Sequence, residues 1–257
     1  MNYSILDPTG NITAIVTAPT DESSRAASAN EVMEIEPDVE QVGFLLPGSG
    51  EYDVELMMAG GEFCGNASMS AAALFALGDG MPKGEKRTFI LKVSGNPDPV
   101  PVELEAITET SFKGKVSMPH ALEIRNIPIL SGYEDRVPVV FMPGIVHAII
   151  PEKFGIEKAE KLLPSICEDL GAEAMGLMLI DDEFSRITPV VYVPEANTLV
   201  REHSCASGTA AVGAYLASKN GKDVCVSFNE PGGTLTVSAS PDGSIYIEGK
   251  VSLTKKV

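Results

Sequence analysis

Two cysteines sit at matching junctions, and that repeat constrains the fold more than any other feature of the chain. Cys64 ends the run Gly60-Gly61-Glu62-Phe63-Cys64 and precedes Gly65-Asn66-Ala67-Ser68. Cys205 ends Arg201-Glu202-His203-Ser204-Cys205 and precedes Ala206-Ser207-Gly208-Thr209. Alanine-rich helix is expected after each, over residues 67–77 and 210–218. The first stretch has high helix propensity, with no proline and no β-branched residue. The junctions lie 205 − 64 = 141 positions apart in 257 residues. That spacing marks an internal duplication of about half the chain, not a short-period solenoid.

Strand-like segments flank both helices in the same order. Residues 3–18 read as strand, a Gly10-Asn11 turn, then strand; 42–46 and 52–58 follow, separated by a loop at 47–50. Residues 29–36 read as a short helix. After the first alanine-rich helix come short strands at 88–94, 101–107 and 112–118, a pattern that suggests a curled sheet around the helix. The order then repeats: strands at 137–142 and 146–150, a helix at 156–170, and strands at 174–181 and 187–193. The second alanine-rich helix follows, then strands at 224–228, 233–238 and 245–251. The expected division is 1–118 for a first lobe and 119–249 for a second, with a last strand at about 250–257 crossing back to the first. A ligand site is expected in the cleft between lobes.

Bulk composition narrows the chemistry. A hydrophobic content of 44% suffices for a large core. Nineteen basic against thirty-six acidic residues give a net charge of −17, which repels phosphate backbones and anionic lipid. No nucleic acid or membrane partner is expected, and no apolar run reaches the roughly 18 residues of a membrane span. The start of the chain lacks a basic stretch followed by an apolar one, so no signal peptide is expected. Four cysteines without C-x-x-C spacing and three histidines argue against a disulfide scaffold or a structural zinc site. A cytoplasmic location follows from that reasoning. Nothing fixes an oligomeric state; a homodimer stands as an open expectation.

A thiol at a helix N-terminus meets the positive end of the helix dipole and unsatisfied N–H groups, which favour thiolate. Two such thiols suggest a base and an acid acting on opposite faces of one carbon. A carboxylate on that carbon would take N–H bonds from Gly65, Asn66, Ala206 and Ser207, and these would also hold the charge that develops on proton removal. The other cysteines read differently: Cys167 in a helix and Cys225 in a strand are expected to pack in the core. His147 reads equally as a core residue or as a partner of a cysteine. Glu62, Glu202 and His203 lie near the cysteines in sequence and reach either the site or solvent.

These segments resemble the cofactor-independent amino-acid racemases and epimerases typified by diaminopimelate epimerase. Four segments carry the resemblance in order: Gly10-Asn11, Cys64-Gly65-Asn66-Ala67, Gly144 to His147, and Cys205-Ala206-Ser207-Gly208-Thr209. It implies an α+β fold of two pseudo-symmetric lobes, each a curled, mostly antiparallel sheet around a central helix. It also implies a mechanism with no metal and no pyridoxal cofactor. By resemblance Cys64 and Cys205 are the base and acid, His147 supports the first cysteine, and Asn11 contacts substrate. Glu195 corresponds to a glutamate supporting the second cysteine, one residue further away than the family pattern places it.

Departures from that pattern bear on the substrate. The family's E-R-G-x-G-E-T-x-A-C has an arginine after the glutamate; here Ala196 follows Glu195. Ile145 replaces the asparagine of G-N-P-H, and Met58 stands where another asparagine is expected. A second amino-acid head group would be left unpaired there, at considerable cost. One ordinary amino acid is therefore the expected substrate. The Glu62-Phe63-Cys64-Gly65-Asn66-Ala67-Ser68 segment is similar to the histidine racemases of this superfamily, which makes histidine the first expectation. Glu62, Glu202 or His203 would then meet an imidazole. The competing readings are diaminopimelate epimerase itself, a phenazine-biosynthesis-isomerase type of enzyme, which lacks the cysteine pair, and a non-catalytic protein that binds a small carboxylate.

Overall fold

A computed structural model describes residues 2–47, 50–128, 136–195 and 197–256. Two compact units divide the chain, residues 1–117 with 248–257, and residues 118–247.

The first unit contains β1 (Tyr3–Pro8), β2 (Thr13–Val16), α1 (Arg25–Ile35), β3 (Gln41–Pro47), β4 (Val54–Met58), α2 (Gly65–Gly78), β5 (Lys86–Val93), β6 (Val100–Ala106) and β7 (Ser111–Met118). Strand order runs β1-β2-β3-β4-β5-β6-β7, and the last strand of the chain lies beside β7. That strand also pairs antiparallel with β1, Pro8 opposite Val251 and Ser4 opposite Lys256, which closes the sheet on itself. Only the β2–β3 and β4–β5 pairs are parallel among the pairings of β1 to β6. The closed sheet surrounds α2, which packs against each of β1 to β6. The helix sequence explains this placement. Its first nine residues and Ala76 are buried, and a helix of small residues on every side has no face to give to water.

The second unit contains β8 (Glu123–Ile127), β9 (Val137–Met142), β10 (Ile145–Pro151), α3 (Ile156–Leu170), β11 (Met175–Ile180), β12 (Ile187–Val193), β13 (Thr198–Arg201), α4 (Ala206–Asn220), β14 (Val224–Glu230) and β15 (Gly233–Ala239). Six strands form one sheet in the order β13-β12-β11-β10-β9-β8. β14 and β15 make an antiparallel hairpin beside the start of β16 (Ile245–Lys256). α4 repeats the logic of α2, packing on β9, β10 and β11 and also on β14 and β15. α3 is a different kind of helix. It buries Ala159, Leu163, Ile166 and Cys167 on one face, against a cluster that includes Leu177, Leu179 and Val190.

The α+β class and mostly antiparallel sheets expected from the sequence are those observed. Differences are local. α1 begins at Arg25, four residues before the expected start. β8 and β13 were not expected, because they are short edge strands with no buried residue. Pro47 ends β3, and residues 48 and 49 of the expected loop lie outside the described residues. Cys167 is buried as expected, but Cys225 is exposed. Alternation along β14 turns Cys225, Ser227 and Asn229 outward and Phe228 and Glu230 inward.

Candidate active site

In the first unit the chain leaves β4 through a turn closed by Gly61 N donating to Met58 O at 3.1 Å. It then runs past Glu62 and Phe63 over Gly95. A β-carbon on Gly95 would lie 2.2 Å from Phe63 N, and its φ is +69°, so only glycine lets this approach pass. Ser94 Oγ donates to Glu62 O at 2.8 Å and fixes the same segment. Cys64, in extended conformation, is the N-cap of α2: its Sγ accepts from Ala67 N at 3.3 Å. Its thiol donates to Gln41 Oε1 at 2.7 Å.

Gln41 opens β3 beside Thr13 of β2. Glu40 N and Gln41 N both donate to Ile12 O, at 2.9 and 3.4 Å. Asn11, one residue earlier, is buried, and its Nδ2 donates to Glu40 Oε2 at 2.9 Å. Asn11 Oδ1 is buried without a hydrogen-bond partner among the described residues. The β2–β3 pairing thus joins Asn11, Glu40 and Gln41 to the Cys64 sulfur.

Cys205 is the N-cap of α4 in the second unit. Its Sγ accepts from Gly208 N at 3.4 Å and lies 3.5 Å from Ser207 Oγ. A β-carbon at Gly208 would sit 2.1 Å from Met178 Sδ and 3.2 Å from Cys205 Sγ, so a larger residue here would displace the Met178 side chain and crowd the sulfur. Cys205 N donates to Glu230 Oε2 at 2.7 Å, and Thr209 Oγ1 donates to the other oxygen of the same carboxyl group. His147, from β10, places Nε2 3.0 Å from Ser207 Oγ.

Burial dominates the electrostatics of this second cluster. The Cys205 thiol is pushed well above its ordinary range, first by burial and then by the charge and hydrogen bond of Glu202, while Ser207 acts in the opposite sense. This departs from the expectation that the helix end would favour thiolate at both cysteines. Glu230, almost fully buried, is raised to about 8 by desolvation, against the lowering effect of Thr209 and Cys205 N. Burial alone lowers His147 to about 3, so the ring is neutral.

Most of the expected site residues sit at these two junctions. Gly65, Asn66 and Ala206 are buried and Ser207 is half-buried, all in the first turns of α2 and α4. Glu202 meets Cys205. His147, which the resemblance assigned to the first cysteine, instead meets Ser207 at the junction of the second, because β10 carries it to the first turn of α4. Glu62 is exposed. Glu195 is exposed in the turn between β12 and β13, and the carboxyl groups bonded to Cys205 are instead Glu202 and Glu230. Ala196 lies outside the described residues. Met58 is buried at the end of β4, and Ile145 is half-buried at the start of β10. Two contacts went unread in the sequence. The inward phase of β14 shared with Phe228 is a signal for Glu230. Gln41 has no local signal, since strand pairing alone brings it to Cys64.

A family model described as the N-terminal domain of the histidine racemase CntK matches residues 1–256. The histidine racemase of Staphylococcus aureus is 30% identical over 249 residues, covering 93% of this chain and 88% of that protein. The histidine racemase of Fusobacterium nucleatum subsp. nucleatum is 30% identical over 260 residues, covering 98% of this chain and 94% of that protein. Among solved structures, a predicted epimerase from Pseudomonas aeruginosa matches with a TM-score of 0.72 at 19% identity, covering 100% of this chain and 98% of that one. At that identity the likeness bears on fold.

Proposed function

We propose that this chain, which belongs to the histidine racemase family and is an amino-acid racemase, acts on histidine and inverts its Cα with two thiols and no cofactor. One observation carries the mechanism: in both units a cysteine caps a buried, small-residue helix and holds its sulfur on the first turn. Histidine is the substrate named for the relatives, and the loss of polar groups at Ile145 and Met58 fits a substrate with one head group.

In this scheme Cys64, as thiolate, takes the α-proton, and the Cys205 thiol delivers a proton to the opposite face of the carbon. The electron pair left on Cα spreads into the α-carboxylate, where N–H groups of Gly65, Asn66, Ala206 and Ser207 stabilise it. After turnover Cys64 carries the proton and Cys205 is the thiolate; the reverse reaction starts from that state. Burial weakens the acidity of the Cys205 thiol and keeps it protonated, which supports its role as proton donor. Asn11 offers its buried Oδ1 to the substrate ammonium group, because a buried acceptor calls for a donor. Glu202 takes the supporting role that the resemblance gave to Glu195. Glu62 is assigned to the imidazole. A reducing, cytoplasmic compartment suits a thiol mechanism.

The test is loss of optical rotation over time for each of the common L-amino acids and diaminopimelate, run in deuterium oxide. L-Histidine should racemise fastest, with deuterium at Cα and nowhere else. Turnover of diaminopimelate alone would assign the chain to that epimerase. Tight binding without turnover of any amino acid would make it a carboxylate-binding protein.

A further inference from the structure

Ser207 offers a side chain as well as a backbone N–H to this junction. Its side chain occupies a more informative position, between His147 Nε2 at 3.0 Å and Cys205 Sγ at 3.5 Å. Which way these hydrogens point follows from the other side of the imidazole. His147 is fully buried, and its Nδ1 has no hydrogen-bond partner among the described residues. Against that atom lies the backbone of Gly176, where a β-carbon would come within 2.4 Å of Nδ1. Unpaired buried N–H groups are rarer in folded proteins than unpaired acceptors. A neutral imidazole carries one ring hydrogen, so that hydrogen belongs on Nε2. His147 then donates to Ser207 Oγ, and the serine's own hydrogen is left for the sulfur.

We propose that Ser207, held by His147, is a positioning residue that aims its hydroxyl at Cys205 Sγ and supports the thiolate of that cysteine. The chain of donors runs one way: His147 Nε2–H to Ser207 Oγ, and Ser207 O–H to Cys205 Sγ. In the protonated state the thiol S–H donates a hydrogen bond to the Glu202 carboxylate. Among the described residues, the titratable groups that face Cys205 are Glu202 just before it, Glu230 from β14, and His147, through Ser207, from β10. Both carboxyl groups oppose the thiolate, and Ser207 favours it. The inference rests on Cys205 being an acid–base residue of the racemase, yet its test does not depend on turnover.

The test is the pH titration of cysteine ¹³Cβ resonances in the full chain, with Cys205 assigned by the signal lost in Cys205→Ser. Ser207→Ala keeps the backbone N–H and the helix while removing the hydroxyl. Its Cys205 midpoint should rise by about one to two pH units, the weight of one hydrogen bond to a charged group. Ser207→Thr should restore the original titration, and His147→Leu should raise the midpoint by less than Ser207→Ala does. Where histidine turnover is measured, Ser207→Ala should lower kcat about 10- to 100-fold with KM little changed. Identical Cys205 titration in the original protein and Ser207→Ala, over every pH reached, would overturn the proposal whether or not the protein racemises histidine. Unaltered titration with abolished turnover would place the serine's effect elsewhere and also overturn it.

Discussion

The two cysteine junctions share a geometry and differ in almost everything around it. Each sulfur accepts the N–H of the third residue after it, at 3.3 Å for Cys64 and 3.4 Å for Cys205. Cys64 is partly exposed and donates to a neutral amide, Gln41. Cys205 is buried, with Glu202 on the sulfur and Glu230 on its backbone N–H. A helix end contributes about 0.3–2 kcal/mol to a charged group. Full burial shifts acidity by up to about 3–5 units, at 1.36 kcal/mol per unit. A helix end therefore cannot by itself decide the protonation of Cys205. In the proposed reaction the difference separates a donor from an acceptor built on one duplicated frame.

The largest effect should come from erasing either member. Cys64→Ala and Cys205→Ala should each lower histidine racemisation by about 10²–10⁴-fold, the usual weight of a general acid or base. Polarimetry on L-histidine and on D-histidine reads this directly. A variant that keeps near-normal turnover in one direction would show that only one junction does chemistry. A smaller effect is expected from Glu202→Gln, which removes the carboxylate on the Cys205 sulfur and leaves Glu230 on its backbone N–H. The Cys205 titration should fall by about one unit, the order of shift one close charge produces. A pH profile of kcat/KM that stays in place would remove Glu202 from the role proposed for it.

Glu230 gives the second junction a stability signature of its own. Its carboxyl ionises near pH 8 in the fold, against an ordinary value of 4.5, because burial disfavours the charged form. The native state thus holds a proton that the unfolded chain releases. Stability from this group is whole below about pH 4.5 and falls by up to about 1.4 kcal/mol per unit as pH rises toward 8. Glu230→Gln should flatten that dependence. Urea unfolding at pH 5, 6.5 and 8 measures it, and a parallel fall in both proteins would show that Glu230 is not the source.

The same contrast explains what could be read from the sequence. The alanine-rich helices and the cysteines ahead of them were legible because each is a local pattern: propensity, a turn, a capping residue. Strands β9 to β12 were legible from their apolar runs. Edge strands β8 and β13 were not, since five or fewer residues of mixed polarity, none of them buried, carry no periodicity. Cys225 was misread as core because an apolar-looking run hid the two-residue alternation that turns it outward. Glu195 was placed by analogy of position, while the carboxyl groups on Cys205 come from elsewhere in the chain. Contacts made by strand pairing, such as Gln41 with Cys64, depend on register, which no local pattern states.

Gln41 supplies the finest test of the difference between the junctions. Its Oε1 accepts the Cys64 thiol hydrogen, and Gln41 itself is only half-buried, so water can replace the amide once it is gone. A neutral hydrogen bond in such a place is worth about 0.5–1.5 kcal/mol. Gln41→Ala should therefore slow histidine turnover only about 2- to 10-fold. Gln41→Glu is the sharper change, because it puts a carboxylate on Cys64 as Glu202 puts one on Cys205. If charge beside the sulfur is what separates donor from acceptor, that variant should raise the Cys64 titration, read from its ¹³Cβ signal, and lose more activity than Gln41→Ala. Equal activity in the two variants would mean that the asymmetry between the thiols comes from burial and not from the neighbouring carboxylate.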